Sequence, residues 1–277
     1  KPDTCVITNI GTCHLENLGD RDGVLKAKTE IFQSMKPNGH IVLNGDDDKL
    51  ITVREYNGVK PVFFGLNSER DVYADQIESK GLKGVACRIH LGEDAFDVLV
   101  PTPGIHMVYN ALAAAAVGRI YGLTIEEIRR GIESLETIRG RFKMIETDKF
   151  LVVDDCYNAN PMSMKASLDV LHDGEGRRVA ILGDMGELGE DEAALHEGVG
   201  IHAATCGIDA CVCVGDLAVH IAEAARKANP DFPVYYEKTR ESLLEHLNDY
   251  VQKGDTILVK ASHFMKFEEV VKALEEM

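Results

Sequence analysis

Phe150-Leu-Val-Val-Asp-Asp-Cys-Tyr-Asn-Ala-Asn-Pro161 is the stretch on which the reading of the fold turns. Its apolar, β-branched opening, Phe150 to Val153, reads as a short buried strand. Pro161 suits the first turn of a helix whose apolar positions include Met164, Leu168 and Leu171. Between strand and helix lies an amide-rich loop, entered through two adjacent carboxylates, Asp154 and Asp155. In open α/β sheets ligands gather at the carboxyl ends of strands, where helix N-termini offer N–H groups to anions and acidic side chains accept from ribose hydroxyls. The same residues also make an ordinary Asx-rich turn with an N-cap, and local chemistry alone favours that turn.

Downstream, strand and helix alternate: apolar runs at Val179–Leu182, Ala210–Val214, Val234–Tyr236 and Thr256–Val259 are each followed by a helical pattern. That rhythm predicts a doubly wound, mostly parallel sheet from residue 144 to 277. Upstream the text differs. Thr4–Ile10 reads as a strand, Gly11–Gly19 as a loop, about Asp22 to Met35 as a helix, and His40–Leu43 as a strand. Short β-rich segments between Val62 and Val100 suggest an antiparallel meander, and helices follow over His106–Tyr121 and Thr124–Leu135, with Thr124 as N-cap. A boundary is expected near residue 143, after Arg139-Gly-Arg141, with a short hinge there.

The 277 residues carry a formal net charge of −16, which argues against nucleic acid or an anionic membrane surface as partner. Seven cysteines without Cys-x-x-Cys spacing indicate neither a disulfide framework nor a zinc site, and a reducing cytoplasm is the expected home. No apolar stretch nears the roughly 18 residues of a membrane span. The chain starts without methionine and already in a strand, so a piece of a longer protein is expected.

Several stretches, in matching order, resemble the Mur ligase family. Residues 154–161 resemble its Asp-Asp-x-Tyr-Asn-Ala-Asn-Pro signature, and Gly104-Ile-His-Met-Val-Tyr-Asn110 its Gly-x-His-Asn-x-x-Asn-Ala element, with Met107 replacing the first asparagine. Gly140-Arg141 matches a Gly-Arg, and Asn44-Gly-Asp-Asp-Asp48 an Asn-x-Asp-Asp that reads equally as a capped turn. Val259-Lys-Ala-Ser-His-Phe264 resembles Lys-Gly-Ser-Arg, with Ala261 and His263 as departures. Gly183-Asp-Met-Gly-Glu-Leu-Gly189 followed by His196 resembles the element that marks the branch adding D-alanyl-D-alanine.

The resemblance implies an α/β fold: the later part of a central ATPase domain over 1–143, a mixed sheet with a β-meander, then a Rossmann-like doubly wound ligase domain over 144–277. It implies ATP and Mg2+, UDP-N-acetylmuramoyl-tripeptide and D-alanyl-D-alanine as substrates, an acyl-phosphate intermediate, and a monomer acting in peptidoglycan precursor synthesis. His14, and more weakly Glu16, would serve magnesium. Lys28 would do so once carbamylated, because carbamylation turns a repelling ammonium into an anionic oxygen ligand; Lys26 is its competitor. Asn110 would face adenine, with His106 beside it, since an amide can both donate to and accept from a base edge. Arg141 would contact the nucleotide through its planar fork, and Asp155 would hold the ribose. Tyr157, Asn158 and Asn160 would shape the nucleotide or amine side, and Lys260 and Ser262 would contact substrate. No Gly-Lys-Ser or Gly-Lys-Thr occurs, so the phosphate-cradling loop is expected before Lys1 and the chain alone is expected to be inactive. Rival readings are another Mur-type or folylpolyglutamate-type ligase, and a non-catalytic nucleotide-binding module.

Overall fold

The computed structural model describes residues 1–11 and 18–277, and the chain forms two compact units, Lys1–Glu136 and Thr137–Met277. Both are mixed α/β.

The first unit is built on one six-stranded sheet whose spatial order follows the sequence: β1 (Thr4–Ile7), β2 (His40–Asn44), β3 (Val62–Gly65), β4 (Val72–Ser79), β5 (Val85–Leu91) and β6 (Asp94–Val100). β1 to β4 pair in parallel, and only β4, β5 and β6 form the antiparallel meander. The expectation of a meander from Val62 is therefore corrected at β3: β-branched content marks a strand but not its direction, which its neighbours decide. β5 alternates buried and half-exposed residues, as a sheet wet on one face should.

Helix α1 (Arg21–Thr29) starts where Asp20 accepts from the Gly23 amide, and tightens into a 3-10 turn over Glu30–Ser34 rather than running unbroken to Met35. α2 (Ile105–Ile120) buries Val108, Leu112 and Ala115 against Phe64 and Ile89 of the sheet. α3 (Ile125–Glu133) begins at a reciprocal cap, Thr124 with Glu127, that satisfies end N–H groups water would otherwise have to reach.

The second unit has strand order β11-β10-β9-β12-β8-β7, with β7 (Lys143–Glu146), β8 (Leu151–Asp154), β9 (Arg178–Gly183), β10 (Ala210–Val214), β11 (Val234–Glu237) and β12 (Thr256–Lys260). All pairs are parallel except the β7–β8 hairpin, whose first strand is half-exposed and carries no strong apolar signal. β10 and β12 are buried along their whole length, as central strands covered on both faces must be. Val152, Val179, Ile181, Val212, Ile257 and Val259 form one face, packed with Leu243 and Leu247 of α7 (Arg240–Tyr250) and Val270, Val271 and Leu274 of α8 (Glu268–Glu276). The connecting helices are α4 (Pro161–His172), α5 (Glu192–Thr205) and α6 (Ala218–Ala228).

Two features of this unit bring its loops together. β12, the last strand in sequence, inserts between β8 and β9, so the loops leaving these three strands emerge side by side at their carboxyl ends. The segment Arg139–Lys143 belongs to the second unit, and the division falls ahead of it, between Glu136 and Thr137. Its backbone is pinned by the loop after β8, and Arg139 makes a two-bonded ion pair with Glu275, 2.9 Å for each bond.

Candidate functional site

The loop after β8 uses its two carboxylates differently. Asp154 turns inward: its Oδ2 accepts from the Gly140 amide at 2.8 Å and its Oδ1 from the Cys156 thiol at 3.0 Å. Burial, reinforced by that carboxylate, pushes the Cys156 thiol far up, so it is an inert space-filler and no nucleophile. Asp155 lies at the rim, its side chain 16% exposed. It accepts from the Phe142 amide at 3.2 Å, the Ser167 hydroxyl at 2.7 Å and the Lys260 ammonium at 2.5 Å.

Lys260, at the end of β12, is 2% exposed and gives a second bond to the Asn158 carbonyl at 3.2 Å. In this structure Lys260 is enclosed against Asp155 and Asn158. Asn158 is folded onto the Ala159 amide at 2.9 Å, and Asn160 caps α4 in a reciprocal arrangement with Ser163. The turn reading therefore holds for these two amides. Ser262 is also an internal tie: its hydroxyl accepts from the Gly186 amide at 2.9 Å, and its own amide donates to the Asp184 carbonyl at 3.0 Å.

Tyr157 differs, with 48% of its surface exposed. Its amide donates to the Gly140 carbonyl at 2.9 Å, and Gly140 sits at φ +76 with a Cβ position only 3.1 Å from Tyr157 Cβ, so a side chain there would be both strained and crowded. The Arg141 guanidinium lies 4.2 Å from the Tyr157 ring centroid, and the His263 ring is 5.4 Å away on the same tyrosine. A cation held over an aromatic face keeps its outer N–H groups free for an anion. Arg141, Tyr157 and Asp155 thus converge at the carboxyl end of β8, an arrangement whose cation, π-face and carboxylate fit the phosphate, base and ribose of a nucleotide.

The loop after β9 is scaffold. Asp184 Oδ1 caps α6, accepting from the Leu217 and Ala218 amides at 3.0 and 2.7 Å, and burial raises its carboxyl. His196, fully buried, accepts from the Met185 amide at 2.9 Å and bonds the Glu192 carbonyl at 2.7 Å, and burial lowers its imidazole. The resemblance picked out these residues, and in the structure they hold the loop's shape.

In the first unit, Asn110 is exposed on α2, its amide donating to the Met107 sulfur at 3.4 Å, with half-buried His106 one turn earlier. Lys28 is exposed and its ammonium donates to the Asn9 carbonyl at 2.9 Å, so it reaches the carboxyl end of β1; Lys26 is exposed on the same helix. His14 and Glu16 lie outside the described residues. Among the described residues no group of three or more His, Cys, Asp or Glu could hold a metal ion. As an ammonium Lys28 would repel a dication; as a carbamate it would offer the hard oxygen magnesium takes, beside the Asn9 carbonyl.

Sequence reasoning missed Ser167, a helix-interior serine that reaches Asp155 from the second turn of α4. Its only sequence signal is position: a small polar residue on the face where Met164, Leu168 and Leu171 are buried.

Comparison with known proteins accords with this layout. Residues 1–118 match the Mur ligase middle domain, and residues 140–263 match the Mur ligase, glutamate ligase domain. The UDP-N-acetylmuramoyl-tripeptide–D-alanyl-D-alanine ligase of Bacillus subtilis is 36% identical over 99% of this chain and 60% of its own length. The ligase of that name from Escherichia coli is 35% identical over 100% of this chain and 61% of its own. Among solved structures, MurF from Acinetobacter baumannii superposes with a TM-score of 0.89 at 32% identity, covering 100% of this chain and 60% of its own. MurF from Thermotoga maritima, solved with ADP, gives 0.83 at 27% identity, covering 99% and 62%. The chain thus spans about 60% of the length of the curated relatives it matches. Matched along most of its length by the middle and ligase domains in turn, the chain belongs to the Mur ligase family.

Proposed function

We propose that this chain is part of an ATP-dependent amide-bond ligase that adds D-alanyl-D-alanine to UDP-N-acetylmuramoyl-tripeptide, acting as a cytoplasmic monomer in peptidoglycan precursor synthesis. One observation carries the reading: similarity over essentially the whole chain to enzymes of that name. The tripeptide carboxylate attacks the γ-phosphorus of ATP, forming a carboxyl–phosphate anhydride and releasing ADP. The dipeptide amine then attacks the acyl carbon, phosphate leaves, and the amine gives up a proton as the amide forms.

In this reading Asn110, with His106 beside it, suits an adenine edge; in the second unit Asp155 suits a ribose hydroxyl, and Arg141 and Tyr157 suit the rest of a nucleotide. Asn158, Asn160 and Ser262 act by shaping the loops around it. Magnesium, held by His14 and carbamylated Lys28, would neutralise phosphate charge. Among the described residues no helix is long and apolar enough to cross a membrane.

The test is phosphate release by the full-length gene product. It should require ATP, UDP-N-acetylmuramoyl-tripeptide and D-alanyl-D-alanine together; faster release with any single amino acid as acceptor would overturn the substrate assignment. The 277 residues alone, lacking a Gly-Lys-Ser or Gly-Lys-Thr loop, should release none, and magnesium-dependent release by them would refute that expectation.

A further inference from the structure

A carboxylate has about four acceptor positions, two on each oxygen. On Asp155, Oδ2 is filled by two donors, Lys260 Nζ at 2.5 Å and Ser167 Oγ at 2.7 Å. Oδ1 receives one, the Phe142 amide at 3.2 Å. Among the described residues a single acceptor direction therefore remains, on Oδ1, in a side chain that is 16% exposed.

The donors arrive from three separate places: the end of β12, the second turn of α4 and the segment just after Arg141. Ser167 also lies 2.9 Å from the Ser163 carbonyl, but a carboxylate is the stronger acceptor for its one proton. Without these donors the carboxylate could rotate and offer either oxygen, and a ligand would bear the entropy of choosing one. With them the orientation is fixed before binding.

We propose that Ser167 and Lys260 are positioning residues that fix Asp155 so that Oδ1 alone reads one ribose hydroxyl, making the site selective for a ribonucleotide over its deoxy counterpart. The inference rests on the proposed nucleotide-ligase function. Both residues act through Asp155, since Lys260 is enclosed and Ser167 is buried.

The test compares ATP, 2′-deoxy-ATP and 3′-deoxy-ATP in the full-length gene product. One of the deoxy analogues should show a KM at least about tenfold above that of ATP. Ser167→Ala should raise the KM for ATP about three- to tenfold, change kcat less than about twofold, and shrink the gap between ATP and that analogue to under about threefold. Ser167→Thr, which keeps the hydroxyl, should restore both. Lys260→Met should move the same quantities further, and if it fails to fold, the serine pair still decides. Undiminished discrimination in Ser167→Ala, a loss of kcat with KM unchanged, or a wild type that treats all three nucleotides alike would each overturn this inference alone. A wild type that uses no nucleotide would sink the ligase reading, and this inference with it.

Discussion

Two acidic loops leave parallel strands of this protein, Asn44–Asp48 after β2 and Asp154–Asn160 after β8, and in composition they look equally ready for a ligand. Their hydrogen bonds separate them. In the first, Asp47 accepts from the Ile10, Lys49 and Leu50 amides at 2.8, 3.0 and 2.9 Å. Asp46 is occupied by the Leu66 amide, Arg70 and Tyr109, and Asp48 pairs with Arg21. These carboxylates knit neighbouring strand ends together. In the second loop Asp154 does such work, whereas one of the three donors on Asp155 is a buried cation, the Lys260 ammonium. Asp46, Asp47 and Asp155 each take three donors, so what sets Asp155 apart is the enclosed ammonium it neutralises.

The largest expected effect comes from removing Asp155. Asp155→Ala leaves the enclosed Lys260 ammonium without its counter-charge, at a cost of about 3–5 kcal/mol in the second unit's unfolding transition. A denaturant melt showing a loss below about 1 kcal/mol would mean that the pair is relaxed by water, and the contrast between the loops would weaken. Asp47→Ala should cost about 2 kcal/mol, confined to the first unit's transition, because three amides lose their acceptor but no buried charge is stranded. An equal loss in the second unit would break the comparison.

A third strand-end carboxylate, Asp184, extends it through its neighbour His196. Burial lowers the His196 imidazole, so the unfolded chain binds the extra proton first. Stability is then full above the ordinary histidine value near 6.5 and is lost as pH falls towards the lowered folded value, with a slope of up to about 1.4 kcal/mol per pH unit. Melts between pH 7.5 and 5 should show this slope in the wild type and its loss in His196→Asn, with Asp184 present in both.

The smallest effect is expected where a carboxylate pairs with an exposed cation. Hydrogen bonding from Arg139 holds the Glu275 carboxyl below its usual range, so its contribution is present above the unfolded carboxyl's range and is lost as pH falls through the lowered value. Glu275→Gln should cost less than about 1 kcal/mol near neutral pH, since Arg139 is largely exposed and water screens the pair. A thermal melt that shifts as far as that of Asp47→Ala would contradict the ranking.

By itself the sequence determined what is local. The 3.6-residue and two-residue periodicities marked most strands and helices, Pro161 and Thr124 marked helix starts, and the ordered motifs of residues 104–110, 154–161 and 183–196 marked the family. Local patterns register burial of a segment's own residues, and they could not reveal the half-exposed β7 or the direction of β3. Only the tertiary structure decided that β12 inserts between β8 and β9, bringing Lys260 and Ser167 to the same oxygen of Asp155 across 105 and 12 residues of chain. Strand order is set by how buried faces pack across the whole sheet, so the partners that fix Asp155, and the acceptor direction they leave open, exist only once that packing is complete.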